Sequence, residues 1–376
     1  MHKEYPLGAA VCERCCLMQT TYDVPHAELF NSDYPYFSGQ SQHWVAHCQA
    51  YAGDVTQRFG LGSHSRIFEI GGNDGTLLKQ FSCTKNVLNI EPSPSVAGAS
   101  RANGVNTLAG LWEEFNAEAR ADLIIANNVM AHTPRLREFV ASLAGNLAPA
   151  GVVTIEFPWI MNLINQGQFD TIYHEHYSYL SVTALTPLFA AYGLQIFDVE
   201  QLTTHGGSLR VYAMHMPARG GSQVARSARI ESVLEAEEPL RQRATFDLLR
   251  LRAEKARDEF KAWLAPFKPQ GDIFPGSYNY PVAGYGAAAK AAVFLNYCRL
   301  NSDDIPFIGD TTPAKQRKYL PTSHIPIVPE EVVIGRKPKY VVIFPWNWKH
   351  EIIAKLRPQM LPDTKFVTAI PQLQIS

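Results

Sequence analysis

The 376-residue sequence has no apolar run approaching the roughly 18 residues that span a bilayer, so a transmembrane helix is excluded. It has no charge excess either. Lys and Arg total 34 against 35 Asp and Glu, which speaks against a dedicated nucleic-acid binder. The start, "MHKEYPLGAAVCERCC", has no apolar core of a signal peptide, and the cytoplasm is the expected location. Cysteine is scarce. Three of the six residues crowd into "CERCC" (Cys12, Cys15, Cys16), a spacing suited to a metal knuckle or free thiols rather than a secreted disulfide framework. There is no H-E-x-x-H zinc signature and no Walker A loop.

What is present is an α/β pattern in two blocks. Residues 1–60 read as irregular and rich in aromatics, with Tyr34, Tyr36, Ser38 and Trp44 among turn residues. From residue 61 to 222, short β-branched runs alternate with helical patterns. "RIFEI" (66–70), "VLNIE" (87–91), "DLIIA" (122–126) and "GVVTIEF" (151–157) read as buried parallel strands. "GLQIFDVE" (193–200) and "GSLRVYAMH" (207–215) are further strands. Residues 223–270 form a charged helical linker broken at Pro239. In it Leu249, Ala253, Ala256, Phe260 and Trp263 make an apolar stripe expected to pack two domains together or to form a dimer contact. Residues 271–376 restart the alternation with "YPVAGYG", "IPFIGD", "HIPIV", "KYVVIFP" and "KFVTAIP". The expected fold is two doubly wound, Rossmann-like sheets, the second smaller than the first.

Two glycine turns stand out. In "FEIGGNDGTLLKQF" (68–81) a strand ends at Ile70, a Gly-rich turn follows, and a helix is expected from about Thr76. Glu91 closes the next strand about twenty residues on, where an acid can bind both hydroxyls of a ribose. Together they mark an adenosine site. NAD and S-adenosylmethionine both remain open, although an acid before the first glycine departs from G-x-G-x-x-G. The second turn, "GYGAAAK" (284–290), suits a diphosphate or simply tight packing.

The decapeptide "YHEHYSYLSV" (173–182) lies beyond the fifth strand, where doubly wound folds place their chemistry. If extended, it sets His174 and His176 on one face and Tyr173 and Glu175 on the other. A metal pair, a buried hydrogen-bond network and acid–base chemistry all fit.

Six motifs occur in a fixed order: "EIGGNDGTLL", "ANNVMAHTPRLREFV", "YHEHYSYLS", "HGGSLRVYA", "GYGAAAKAAVFLNYC" and "KQRKYLPTSHIPI". Together they resemble the C-methyltransferases that act on nucleotide-linked keto-deoxysugars, from about residue 5 to the C-terminus. The resemblance implies a class I methyltransferase fold with S-adenosyl-L-methionine held by Glu69, Gly71, Asn73, Asp74, Gly75, Glu91, Asn127 and Asn128. It implies His176 as the base, with Glu175, Tyr173 and His132 lining the pocket and Tyr36, or Tyr34, closing it. It implies Arg210, Lys290, Asn296, Tyr297 and Lys315 as contacts to a nucleotide-sugar substrate. Members carry a zinc module with two C-x-x-C pairs. Only the second pair, Cys12 and Cys15, is matched here, so zinc is expected at most as a half site. Sugar O-methylation and non-catalytic sugar binding remain as alternatives, and the chain is expected to be a monomer or homodimer without a nucleic-acid or membrane partner.

Overall fold

A computed structural model describes residues 4–30, 38–40, 42–217, 225–267 and 281–376. Tyr34 and Tyr36 lie outside these residues. The chain forms two compact units. The first comprises Met1–Ile160 and His174–Arg241, and the second Met161–Tyr173 and Gln242–Ser376.

The first unit opens with a hairpin, β1 (Ala9–Val11) and β2 (Met18–Thr20). Its main sheet has seven strands. In chain order these are β3 (Ile67–Ile70), β4 (Val87–Glu91), β5 (Thr107–Ala109), β6 (Ala121–Asn127), β7 (Leu147–Pro158), β9 (Leu194–Leu202) and β10 (Ser208–His215). β8 (Ser178–Tyr179) instead joins the hairpin, pairing with β2. The main sheet runs β5-β4-β3-β6-β7-β10-β9. The first five strands are parallel, and β10 is antiparallel to both β7 and β9. The strand order reverses between β3 and β6. Ligands of doubly wound sheets bind beyond the carboxyl ends of the strands at such a reversal.

The expected strands are in place, and the S-adenosylmethionine-type doubly wound fold holds. Three local expectations are corrected. The N-terminal segment is not irregular throughout, because Gln42–Phe59 forms an 18-residue helix. That helix buries Cys48, Tyr51, Ala52 and Val55 against Ile67, Leu123, Ile125 and Tyr212 of the sheet. The helix expected after "EIGGNDG" is only a 3-10 turn, Leu78–Gln80. "YHEHYSYLSV" is not extended over its first half. His174 and Glu175 sit in a turn, and β8 begins only at Ser178, so the alternating-face reading fails.

The second unit carries six strands: β11 (Val282–Tyr285), β12 (Ile308–Asp310), β13 (Ile327–Pro329), β14 (Tyr340–Ile343), β15 (Lys365–Thr368) and β16 (Gln374–Ile375). Their order is β13-β12-β11-β14-β15-β16, parallel except for β16. The helix Arg243–Leu264 buries the expected stripe of Leu249, Ala253, Ala256 and Phe260. Within the second unit this helix packs against its neighbours. Phe260 meets Phe294 edge-on at 5.0 Å, and Arg252 donates to the Ile164 carbonyl at 2.6 Å.

Glu237 shows how the first unit is tied. It is fully buried at the end of the helix Ala228–Glu237. Its carboxylate accepts from Trp159 Nε1 (2.8 Å), the Val182 amide (3.0 Å), and the Thr183 amide and hydroxyl (both 2.7 Å). The two amides are unsatisfied donors at the start of the helix Val182–Ala191. Glu237→Ala is therefore expected to lower the free energy of unfolding by about 3–5 kcal/mol, because it strands several buried donors. Urea denaturation checks this, and a loss below about 1 kcal/mol would contradict it.

Candidate active site

The loop after β3 is built around positive φ angles. Gly71, Asn73 and Gly75 have φ of 58°, 51° and 80°. A Cβ on Gly71 would stand 2.9 Å from Val129, and one on Gly75 2.6 Å from Val105, so both conformation and space call for glycine there. Side chains hold the loop in this shape. Asn89, fully buried on β4, accepts from the Gly72 amide (2.9 Å) and donates to the Asn73 carbonyl (3.1 Å) and Ser100 Oγ (3.1 Å). Glu91 accepts from the Asn73 amide (3.0 Å) through one oxygen and from the Ser93 amide (3.0 Å) through the other.

Several polar atoms here are buried without a protein partner: Glu69 Oε2 and both side-chain amide atoms of Asn127 and Asn128. Asn127 ends β6, and Asn128 follows with φ 57° while its amide donates to the Glu156 carbonyl at 2.7 Å. Buried polar groups are normally paired. A patch of unpaired ones at the β3/β6 reversal fits a polar ligand. Burial, then the neighbouring Glu91 and Asp74 carboxylates, push the Glu69 pKa up to about 8. Burial also raises Glu91, partly offset by the Ser93 and Asn73 amides. A cationic ligand would relieve this concentration of acids.

The histidine cluster lies in the same unit. His132 closes the 3-10 turn Met130–His132 after β6. Its ring centroid is 4.9 Å from that of His176 and 5.6 Å from Phe30. His176 also stands edge-on to Tyr179 at 6.4 Å. The flanking backbone sets this contact. The Tyr177 amide donates to the Ala131 carbonyl (2.8 Å), and the buried Tyr177 hydroxyl donates to the Val24 carbonyl (2.5 Å). Glu175 belongs to this turn, and His174 Nε2 lies 3.3 Å from the Pro6 carbonyl. Tyr173 closes the segment assigned to the second unit.

Residues 43–199 match the family model of a methyltransferase domain, and residues 203–371 match that of a C-methyltransferase C-terminal domain. The C-methyltransferase NovU of Streptomyces niveus is 31% identical over 378 residues, covering 99% of this chain and 87% of that protein. The chain belongs to the C-methyltransferase family. Among solved structures, magnesium protoporphyrin IX methyltransferase from Synechocystis PCC 6803 aligns at TM-score 0.39 and 11% identity, over 46% of this chain and 83% of that one. N-methyltransferase NodS from Bradyrhizobium japonicum WM9 aligns at TM-score 0.38 and 14% identity, over 47% and 98%.

As an S-adenosylmethionine-dependent C-methyltransferase, the protein is neither a bare sugar binder nor an O-methyltransferase. The residues present fit the cofactor, with unpaired buried acceptors and donors around a loop that glycine keeps open. They offer less to zinc. Cys12 is exposed, Cys15 half-buried and Cys16 buried. The backbone amides of Cys15 and Arg14 hold the Cys12 thiol low. Among the described residues no group of three or more His, Cys, Asp or Glu gathers as a metal site.

The expected substrate contacts are divided between the two units. Arg210 lies on β10 of the first unit and is almost fully buried. Its guanidinium donates to Glu156 (3.0 Å) and Glu200 (3.1 Å). Glu156 also accepts from His47 Nε2 (3.0 Å) and Thr204 Oγ1 (2.8 Å). Burial alone would raise its pKa, but the His47 hydrogen bond and the Arg210 charge bring it down to about 2. Lys290, Asn296, Tyr297 and Lys315 are in the second unit. Lys290 stands 5.2 Å over the Trp346 ring, and Trp346 Nε1 donates to Asp170 at 2.7 Å. Burial depresses Lys290 and the Asp170 charge opposes this. Asn296 and Tyr297 sit about 9 Å further along the helix Ala289–Cys298. They line a cavity of about 590 Å³ with Arg257, Lys261 and Arg299. Lys315 pairs with Asp310 at 3.7 Å.

Sequence reasoning missed Asn89, Glu156, His47, Asp170 and Trp346. Asn89 and Glu156 did carry a signal, each being a polar residue inside an apolar strand run, "VLNIE" and "GVVTIEF".

Two outcomes are expected. The S-adenosylmethionine cation favours ionised Glu69, whose pKa in the free protein is about 8. Binding between pH 6 and 7.5 should then release a proton and tighten as pH rises, by up to about tenfold per pH unit. Calorimetry in buffers of different ionisation enthalpy reads both effects, and Glu69→Gln should abolish them. Arg210→Met leaves Glu156 buried and less well paired, so it should cost about 3–5 kcal/mol of stability by urea denaturation. A variant as stable as wild type would show that this ion pair does not stabilise the fold.

Proposed function

We propose that the acceptor is a carbon beside a ketone on a nucleotide-linked keto-deoxysugar, and that His176 removes its proton. The observation that carries this reading is the His132–His176 pair, 4.9 Å apart and flanked by Phe30 and Tyr179. His132 follows β6 by five residues, and β6 ends at Asn127 beside the unpaired amides. A C–H next to a ketone is a weak acid. Its removal needs a base while a donor stabilises the developing enolate oxygen. Histidine suits the base, because its proton exchanges near neutrality. His132 and Glu175 are assigned to orienting the base or donating to the enolate oxygen.

When bound, S-adenosylmethionine supplies an electrophilic methyl group. Glu69, Glu91, Asn127 and Asn128 would hold it. The nucleotide is assigned to the second unit, with the Gly286 turn and Lys290 at its diphosphate. The order of the six motifs supports the sugar substrate, and a cytoplasmic location follows from the same reading.

The test uses a panel of nucleoside-diphosphate keto-deoxysugars in deuterated buffer. Wild type should exchange the hydrogen beside the ketone without added methyl donor. His176→Ala should slow exchange by about 100-fold or more. Exchange at the wild-type rate in the variant would contradict the base assignment.

A further inference from the structure

The Asp74 carboxylate, expected to bind the methyl donor, is already occupied. One oxygen accepts from Ser38 Oγ (2.8 Å) and Thr76 Oγ1 (2.6 Å), and the other from the Gly39 amide (2.9 Å). Asp74 and Ser38 are both buried. A second arm lies beside the first. The Ser38 amide donates to Asn73 Oδ1 (2.9 Å), and the Asn73 amide donates to Glu91 (3.0 Å). Glu91 is the carboxylate placed to meet a ribose. Two hydrogen bonds thus lead from the donor site to Ser38, which precedes the helix Gln42–Phe59.

That helix carries Trp44 and His47, whose rings stack at 5.1 Å, and His47 bonds to Glu156 at the end of β7. Gly39 is exposed, and a cavity of about 440 Å³ borders the clasp, lined by Val45, Lys79, Gln80, Ala99 and Asn103. Gly39 has no room for a side chain on its inner side, since a Cβ would stand 2.7 Å from Thr76 Oγ1 and 2.8 Å from Asp74 Oδ2. The contact is close, polar and held chiefly by hydrogen bonds. It can therefore be strengthened or released without repacking a core.

We propose that Asp74 is a positioning residue rather than a donor ligand. With Asn73 it forms a clasp through which occupancy of the donor loop fixes Ser38–Gly39 and the entry to the helix Gln42–Phe59. Coupling of this kind is reciprocal. If donor binding tightens the clasp, loss of the clasp must weaken donor binding by the same factor, whichever side is cut.

The probe is S-adenosylhomocysteine, with calorimetry and amide hydrogen exchange over residues 38–48. In wild type the ligand should slow exchange in this segment. Ser38→Ala, which cuts the clasp on the side opposite Asp74, should weaken ligand binding about three- to tenfold, within the usual range of coupling. It should reduce ligand-dependent protection by the same factor. Asp74→Asn should do the same, and the double variant should be no weaker than either single one. A merely structural role would lower stability without changing the ligand-dependent part of the exchange. Weakened binding in Asp74→Asn with wild-type behaviour in Ser38→Ala would make Asp74 a direct donor ligand and overturn the proposal. Unchanged binding and protection in both variants would overturn it as well. Should Asp74→Asn fail to fold, Ser38→Ala and Gly39→Ala decide the matter, since both cut the clasp from the other side.

Discussion

The turn from Gly71 to Gly75 is the constraint on which the first unit depends. Its backbone passes through three left-handed positions, one of them at Asn73, where a side chain is strained. Locally it is closed by the Gly75 amide donating to the Gly72 carbonyl (3.0 Å). It is fixed by side chains on the neighbouring strand β4, with Asn89 beneath it and Glu91 beside it. The two tasks of the loop then follow. Its open face meets buried atoms that have no protein partner, and its closed face is bonded to the segment before the first long helix.

The same economy recurs at the next strands. β6 and β7 end in Asn127 and Glu156, paired in register. Glu156 is ionised despite complete burial because Arg210, His47 and Thr204 surround it. A buried carboxylate of this kind is tolerated only when well paired. The pairing joins the long N-terminal helix, β7 and β10, next to Asn127 on β6. The His132–His176 pair is set by one backbone bond between the residues next to each histidine, Ala131 and Tyr177.

Much of this was legible in the sequence. The β-branched runs marked eleven of the sixteen strands, because strands buried on both faces read as near-continuous apolar runs. The glycines marked the turn after β3, because its positive φ angles call for them. The histidine segment was located, but its conformation was misread. Alternation was assumed, whereas His174 and Glu175 occupy a turn that long-range bonds from Tyr177 determine. An arginine in a strand carries no mark of its partner, so the ion pair of Arg210 is not legible in the sequence. Glu156 lies 54 positions away, and only the fold brings them together. The Asp74–Ser38 bonds, 36 positions apart, were hidden in the same way.

The central claim is that this protein moves a methyl group from S-adenosylmethionine to carbon. The most direct measurement is carbon NMR of the product formed with a donor labelled with carbon-13 at its methyl group, offered with nucleoside-diphosphate keto-deoxysugars. The expected result is a labelled methyl coupled to a sugar carbon beside the ketone, and absent when His176 is replaced by Ala. A label found on oxygen would contradict the account.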